Sequence, residues 1–351
     1  MVSRRTALRS VGPLLTGVGA GCLGSGGPDA DRIRWRKSVR GAPALAGDDL
    51  YVLDRLTVFA LSSADGTERW TVGYDEDQFD RRLCLRDDIV VDAGRLYVPA
   101  CDGLRALDRS DGTQAWSVDA PIRSAAAVQS GRVYAKSDAL LAIDAETGSV
   151  DWRAPVGGER LTSPATTPDA VVVADRPEGV VTAFDGDGDR RWTHRTDTET
   201  RSPAVRDGTV YVATAPDPGR AGRLLALDLA DGTVQWAVDI PSPRRGTRPV
   251  VGEQSVYLGC TGRDHGTLVA RRRRDGAEEW RFADQNSGVY DPVLADDRVY
   301  AGSNDDTLYA FSRAGDLQWR IETGSTVGSV AVGPDHVYAS NNERLFAVAR
   351  D

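Results

Sequence analysis

Lysine and histidine are scarce in this chain, and each shortage removes a class of function. Of 43 basic residues only Lys37 and Lys136 are lysines; the rest are arginine. Acidic residues number 52, leaving a formal net charge of −9. A nucleic-acid binder needs a basic face to displace counterions from phosphates, so that general role is excluded. The three histidines, His194, His265 and His336, lie far apart and fit no metal-ligand spacing, which removes the zinc-hydrolase signatures. The four cysteines, Cys22, Cys84, Cys101 and Cys260, include no adjacent pair. No apolar run approaches the ~20 residues that cross a bilayer as a helix, so an integral membrane protein is not expected. Nor does any segment sustain a 3.6-residue apolar period, so helices should be few.

What is present is a chain able to build a large core. Hydrophobic residues make up 40% of the 351 and charged residues 27%, a balance that excludes global disorder. Aspartate outnumbers glutamate 41 to 11. Short carboxylates with few lysines suit a very salty medium, where a Debye length of ~3 Å at 1 M salt screens self-repulsion. A halophilic, haloarchaeal source is one reading of this composition; codon usage in a GC-rich genome, which favours arginine over lysine, is the other.

The first 31 residues read as an address label and not as fold. Ser3-Arg4-Arg5-Thr6-Ala7-Leu8 resembles the twin-arginine (Tat) export motif, with Arg4 and Arg5 as its pair. A Gly-rich, weakly apolar stretch follows and ends in Gly19-Ala20-Gly21-Cys22, which resembles a lipoprotein cleavage site. The expected layout is a signal peptide over 1–21, a lipid on Cys22, a flexible tether over 22–31 and a folded unit over 32–351. Cleavage would remove Arg4, Arg5 and Arg9 and take the net charge from −9 to −12. Export permits disulfides. Cys84 falls just before one expected strand and Cys101 at the end of the next, so a Cys84–Cys101 bond is expected, with Cys260 unpaired. Three free thiols are the other reading.

The eight tryptophans, Trp35, Trp70, Trp116, Trp152, Trp192, Trp236, Trp280 and Trp319, recur at spacings of 35 to 46 residues. Such a period marks propeller blades. Each lies in the same context. Upstream comes a turn such as Ala64-Asp65-Gly66-Thr67 or Glu146-Thr147-Gly148-Ser149, whose glycine supplies the positive φ of a tight hairpin. Before the turn stands an apolar strand with a central alanine, such as Leu140-Leu141-Ala142-Ile143. Earlier still is a short strand carrying Tyr51, Tyr97, Tyr134, Tyr211, Tyr257, Tyr300 or Tyr338, with Val172 in the remaining unit. One repeat is therefore four short strands. The last unit lacks a tryptophan strand, whereas Ile33-Arg34-Trp35-Arg36 is a tryptophan strand without a unit. The expectation is an all-β, eight-bladed β-propeller of four-stranded antiparallel blades, closed by residues 32–39 completing the last blade. The tryptophans would pack between blades.

Units such as Ala142-Ile143-Asp144-Ala145-Glu146-Thr147-Gly148-Ser149-Val150-Asp151-Trp152 resemble the pyrroloquinoline-quinone (PQQ-like) repeat, Ala-x-Asp-x-x-Thr-Gly-x-x-x-Trp. The resemblance covers essentially the whole chain after the tether and is closest to the non-enzymatic, BamB-like lipoprotein branch. It implies a binding or assembly scaffold and no cofactor. The quinone enzymes that share the repeat use adjacent cysteines, a stacking tryptophan and a bound calcium; this sequence has no adjacent cysteines, and every tryptophan is assigned to a blade. Asp185-Gly186-Asp187-Gly188-Asp189 falls on a repeat turn and lacks the glycine and glutamate spacing of an EF-hand loop. No catalytic, cofactor-binding or metal-ligating residue is assigned. A quinone- or sugar-processing oxidoreductase is the alternative reading.

In a four-stranded antiparallel blade, the second-to-third turns and the inter-blade connections share one face. Here these are long and varied, the places where recognition concentrates. The acidic insertion Asp75, Glu76, Asp77 and Asp80 is the most distinctive; a plain solvated loop is its other reading. Arginines precede the innermost strand in six units: Arg40, Arg86, Arg123, Arg160, Arg201 and Arg248. They could form a positive collar for an anionic ligand at the channel mouth, or pair locally with acids. The functional expectation is a monomeric, exported protein on the extracellular face of the cell membrane. Its partner would be another protein, bound through the long-loop face, and the lipid on Cys22 would be its only link to the membrane.

Overall fold

A computed structural model describes residues 30–74, 89–92, 94–100, 102–122, 124–156, 162–215, 221–240, 245–246, 248–261, 266–284 and 288–351. Apart from one short 3-10 turn at Ala30–Arg32, every regular element among them is a β-strand. No helix of the described residues is long and apolar enough to cross a membrane.

The strands form eight sheets, each an antiparallel meander. Blade 1 runs Ala44–Ala46, Asp49–Asp54, Thr57–Ser62 and Glu68–Gly73. Blades 2 to 7 occupy residues 90–118, 127–154, 165–195, 204–240, 245–284 and 293–322 in the same order. Blade 8 takes Val327–Val332, His336–Asn341 and Leu345–Ala349 from the carboxyl end and Ile33–Lys37 from the amino end. The closing pair is antiparallel, with Trp35 opposite Ala347 and Lys37 opposite Leu345. First strands neighbour one another from blade 1 through blade 6, between blades 7 and 8, and between blades 8 and 1, so the inner strands ring the centre.

One departure concerns blade 6. Its inner strand is in two pieces, Arg245–Gly246 and Val250–Val251, both paired to Ser255–Thr261. Pro249 lies in the gap and has no N–H to give to the ladder.

A single row of residues explains the repeat. In blade 3, Ala127, Tyr134, Ala142 and Trp152 stand opposite one another across all four strands. The alanine leaves open the space between the two rings, and they meet above it, with centroids 5.9 Å apart. Equivalent tyrosine–tryptophan pairs stand 5.8–6.0 Å apart in six further blades, including Tyr338 with Trp35 across the closing strand. Blade 4 substitutes Val172 opposite Ala183 and Trp192.

Each tryptophan also reaches the next blade. Its indole N–H donates to a main-chain carbonyl just after that blade's third strand. Trp35 reaches Ser63 at 3.2 Å, Trp152 reaches Gly186 at 2.9 Å, and Trp192 reaches Leu229 at 2.8 Å. Trp70, Trp116, Trp236, Trp280 and Trp319 make the corresponding bonds to Arg109, Ala145, Arg273, Arg313 and Arg350. All eight seams therefore carry the same bond. A buried neutral hydrogen bond is worth about 1 kcal/mol net, and an aromatic pair about 0.5–1.5 kcal/mol beyond its area.

The turn glycine has two causes. Gly148 sits at φ +76°, and a Cβ there would come within 2.6 Å of the Trp116 indole. The indole of one blade lies directly on the turn of the next, so the Thr-Gly step is both a hairpin requirement and a seat.

Candidate binding face

The second-to-third turns and the inter-blade connections emerge on one face, as antiparallel four-stranded topology requires. Of the collar arginines, Arg40, Arg201 and Arg248 are described, and they do not stand alike. Arg40 is half-exposed, its guanidinium 3.7 Å from Asp54, while its main-chain N–H donates to the same carboxylate at 3.1 Å. Arg201 is buried, its side chain 7% exposed, and bonds Glu199 at 2.8 Å. Glu199 also holds Arg176. Arg248 donates its main-chain N–H to Asp291, just before blade 7, at 3.1 Å. Arg86, Arg123 and Arg160 lie outside the described residues, as do Asp75, Glu76, Asp77, Asp80, Cys22, Arg4, Arg5, Cys84 and Cys101. Cys260 is a free, buried thiol that desolvation pushes up to about 12. It is closed to thiolate chemistry at neutral pH.

A cleft of about 350 Å³ opens on this face at the seam between blades 8 and 1. Both blades supply residues from the same two regions: at or just before the start of the first strand, and at the end of the second strand and the turn that follows it. From blade 1 come Arg40, Gly41, Asp54 and Arg55; from blade 8 come Gly328, Ser329, Asn341 and Asn342. Gly41 sits at φ +120° with its α-carbon pressed against blade 1, where a Cβ would fall 2.2 Å from the Leu53 carbonyl oxygen. Arg55 holds a left-handed φ of 57° and is exposed. Asn341 is buried and structural: its amide oxygen accepts the N–H groups of Glu343 at 2.9 Å and Arg344 at 2.8 Å.

Sequence reasoning missed two sets of polar residues. One is a set of arginines at the carbonyl that receives the indole. Arg109 donates to the Tyr51 hydroxyl and to the Ala46 carbonyl of the preceding blade. Arg273 reaches Tyr211 and Asp207, and Arg350 reaches Tyr300 and Asp296. Hydrogen bonds from these guanidinium groups hold Asp207 and Asp296 below the usual carboxylate range. Each of the three arginines comes immediately after its blade's third strand. The other set is Asp175, 5% exposed at the end of a second strand, whose carboxyl burial pushes up while Lys136 opposes the shift.

Together these features define a class: an eight-bladed propeller of PQQ-type repeats with identical indole-bridged seams. A family model described as "Outer membrane protein assembly factor BamB" matches residues 24–133, 100–258 and 246–351, and the chain belongs to that family. The outer membrane protein assembly factor BamB of Yersinia pestis is 26% identical over 272 residues, covering 71% of this chain and 59% of that protein. The chain spans 53–62% of the length of four curated BamB relatives. Among solved structures, BamB from Moraxella catarrhalis superposes with a TM-score of 0.69 at 18% identity, covering 90% of this chain and 97% of that one. Quinohemoprotein alcohol dehydrogenase from Comamonas testosteroni gives 0.69 at 16%, covering 92% and 77%. Likeness at these identities establishes the fold alone.

Proposed function

We propose that the chain is an exported, non-enzymatic propeller scaffold that binds a protein partner through the face bearing its second-to-third turns. Family membership along residues 24–351 carries this reading. Against a quinone enzyme stands the commitment of all eight indoles to seams, which leaves no tryptophan to cover a planar cofactor. In the same proposal Arg4 and Arg5 direct twin-arginine export, Cys22 carries lipid, and the acidic, arginine-rich surface serves a salty exterior. An outer-membrane role does not follow, since a haloarchaeal cell, the source proposed from composition, has no such membrane. The second reading, an anionic ligand at the channel mouth, is favoured by the arginines of the seam cleft.

Site-specific photo-cross-linking in intact cells tests the scaffold. A photoreactive residue at Asn342 or Asp306, on the long-turn face, should capture a discrete protein partner. The same residue at Ser130 or Asp231, on the opposite face, should capture none. Equal capture from both faces, or none from either, would refute it.

A further inference from the structure

We propose that the seam cleft between blades 8 and 1 binds a small, hydroxylated, singly charged carboxylate of the sugar-acid class. The inference deepens the anionic-ligand reading and rests on it. At about 350 Å³ the cleft lies at the small end of ligand pockets. Its charged groups are Arg40, Arg55 and Asp54, so it is locally positive in a chain of net charge −9. Arg40 is already held by Asp54. Among the described residues, Arg55, Ser329 and Asn342 make no side-chain hydrogen bond or ion pair, and all three line the same space.

The donor set selects the ligand. A guanidinium fork matches carboxylate and phosphate alike. Asp54 separates them, since it repels a doubly charged phosphate yet accepts a hydrogen bond from a hydroxyl. Ser329 and Asn342 each donate and accept, which also suits hydroxyl groups. The left-handed Arg55 places its side chain at a turn where a small residue or asparagine is commoner, an unusual conformation of the kind that gathers at binding sites.

Blade 8 offers a clean way to close the cleft. A Cβ on Gly328 would meet no atom within 4 Å, so Gly328→Leu adds bulk to the cleft lining with no clash at its first carbon. The ligand would bridge the first and last blades and so stabilise ring closure by mass action.

Isothermal titration calorimetry of the full chain with sodium D-galacturonate tests this, with galactose and inorganic phosphate as the other arms. Galacturonate should bind saturably, and galactose and phosphate at least tenfold more weakly. Arg55→Gln and Gly328→Leu should each weaken galacturonate at least tenfold. Arg248→Gln, in the wider collar, and Arg274→Gln, on a distant turn, should leave it unchanged. No saturable binding, equal binding of galactose or phosphate, or full affinity in both cleft variants would overturn the proposal. Loss in Arg248→Gln with both cleft variants intact would also overturn it, while leaving the broader collar reading standing.

Discussion

A turn glycine and a tryptophan decide the packing of each seam, and neither can be exchanged for a near neighbour. Gly148→Ala asks an L residue to hold φ +76° and drives a methyl to 2.6 Å from Trp116. We expect a loss of about 2–4 kcal/mol in urea unfolding, combining left-handed strain with overpacking. Ser130→Ala, also at positive φ, keeps the strain that Ser130 already bears and loses only an exposed hydrogen bond from Gln129, and so should change little. The tryptophans, tyrosines and central alanines were legible in the sequence because they recur at fixed offsets. The arginine brackets at Arg109, Arg273 and Arg350 were not, since four other blades place Ser63, Ala145, Gly186 and Leu229 at the same point and blur the pattern. The cleft residues Arg55, Ser329 and Asn342 were equally hidden. They come from opposite ends of the chain and meet only because the ring closes.

At the scale of strands and turns, the repeat holds a feature that the sequence does not reveal. Each fourth strand carries a β-bulge just before its tryptophan, as between Ala142 and Ile143 opposite Trp152, and the closing strand has its own between Ile33 and Trp35. A bulge sharpens local twist and re-aims the next side chain, here the indole, toward the neighbouring blade. One extra residue leaves no compositional trace, so only the register exposes it. The third-to-fourth turns add a pH dependence. Asp65, Asp231 and Asp275 are held below the ordinary carboxylate range chiefly by the N–H of Thr67, Thr233 and Ala277, and Asp144 chiefly by the Thr147 hydroxyl. In the unfolded chain these groups titrate near their ordinary value of about 3.9. Their stabilisation is thus complete above that pH and is lost as pH falls through the lower, folded values. Asp175, raised by burial, acts in the opposite sense but is a single group. We expect the urea midpoint to be flat from pH 7 to about 5.5 and to fall steadily below about pH 4. A midpoint that rose on acidification would contradict this origin.

At the scale of the whole molecule, the fold is a wheel whose rim is fastened by eight copies of one bond and whose last sheet is shared between the two ends of the chain. This much was readable from the count of tryptophans and the mismatch of the termini. The interruption of blade 6 at Pro249 was not, because an inner strand of two residues leaves little pattern to interrupt. A partner or ligand on the long-turn face would bind a scaffold whose geometry depends on closure, which makes closure the claim to test. Hydrogen exchange measured residue by residue does so directly. Ile33–Lys37 should show amide protection matching that of other fourth strands such as Val150–Ala154 and Arg190–Arg195. Exchange of Ile33–Lys37 at the rate of an open chain, with those two strands still protected, would show that the amino-terminal strand does not close the ring.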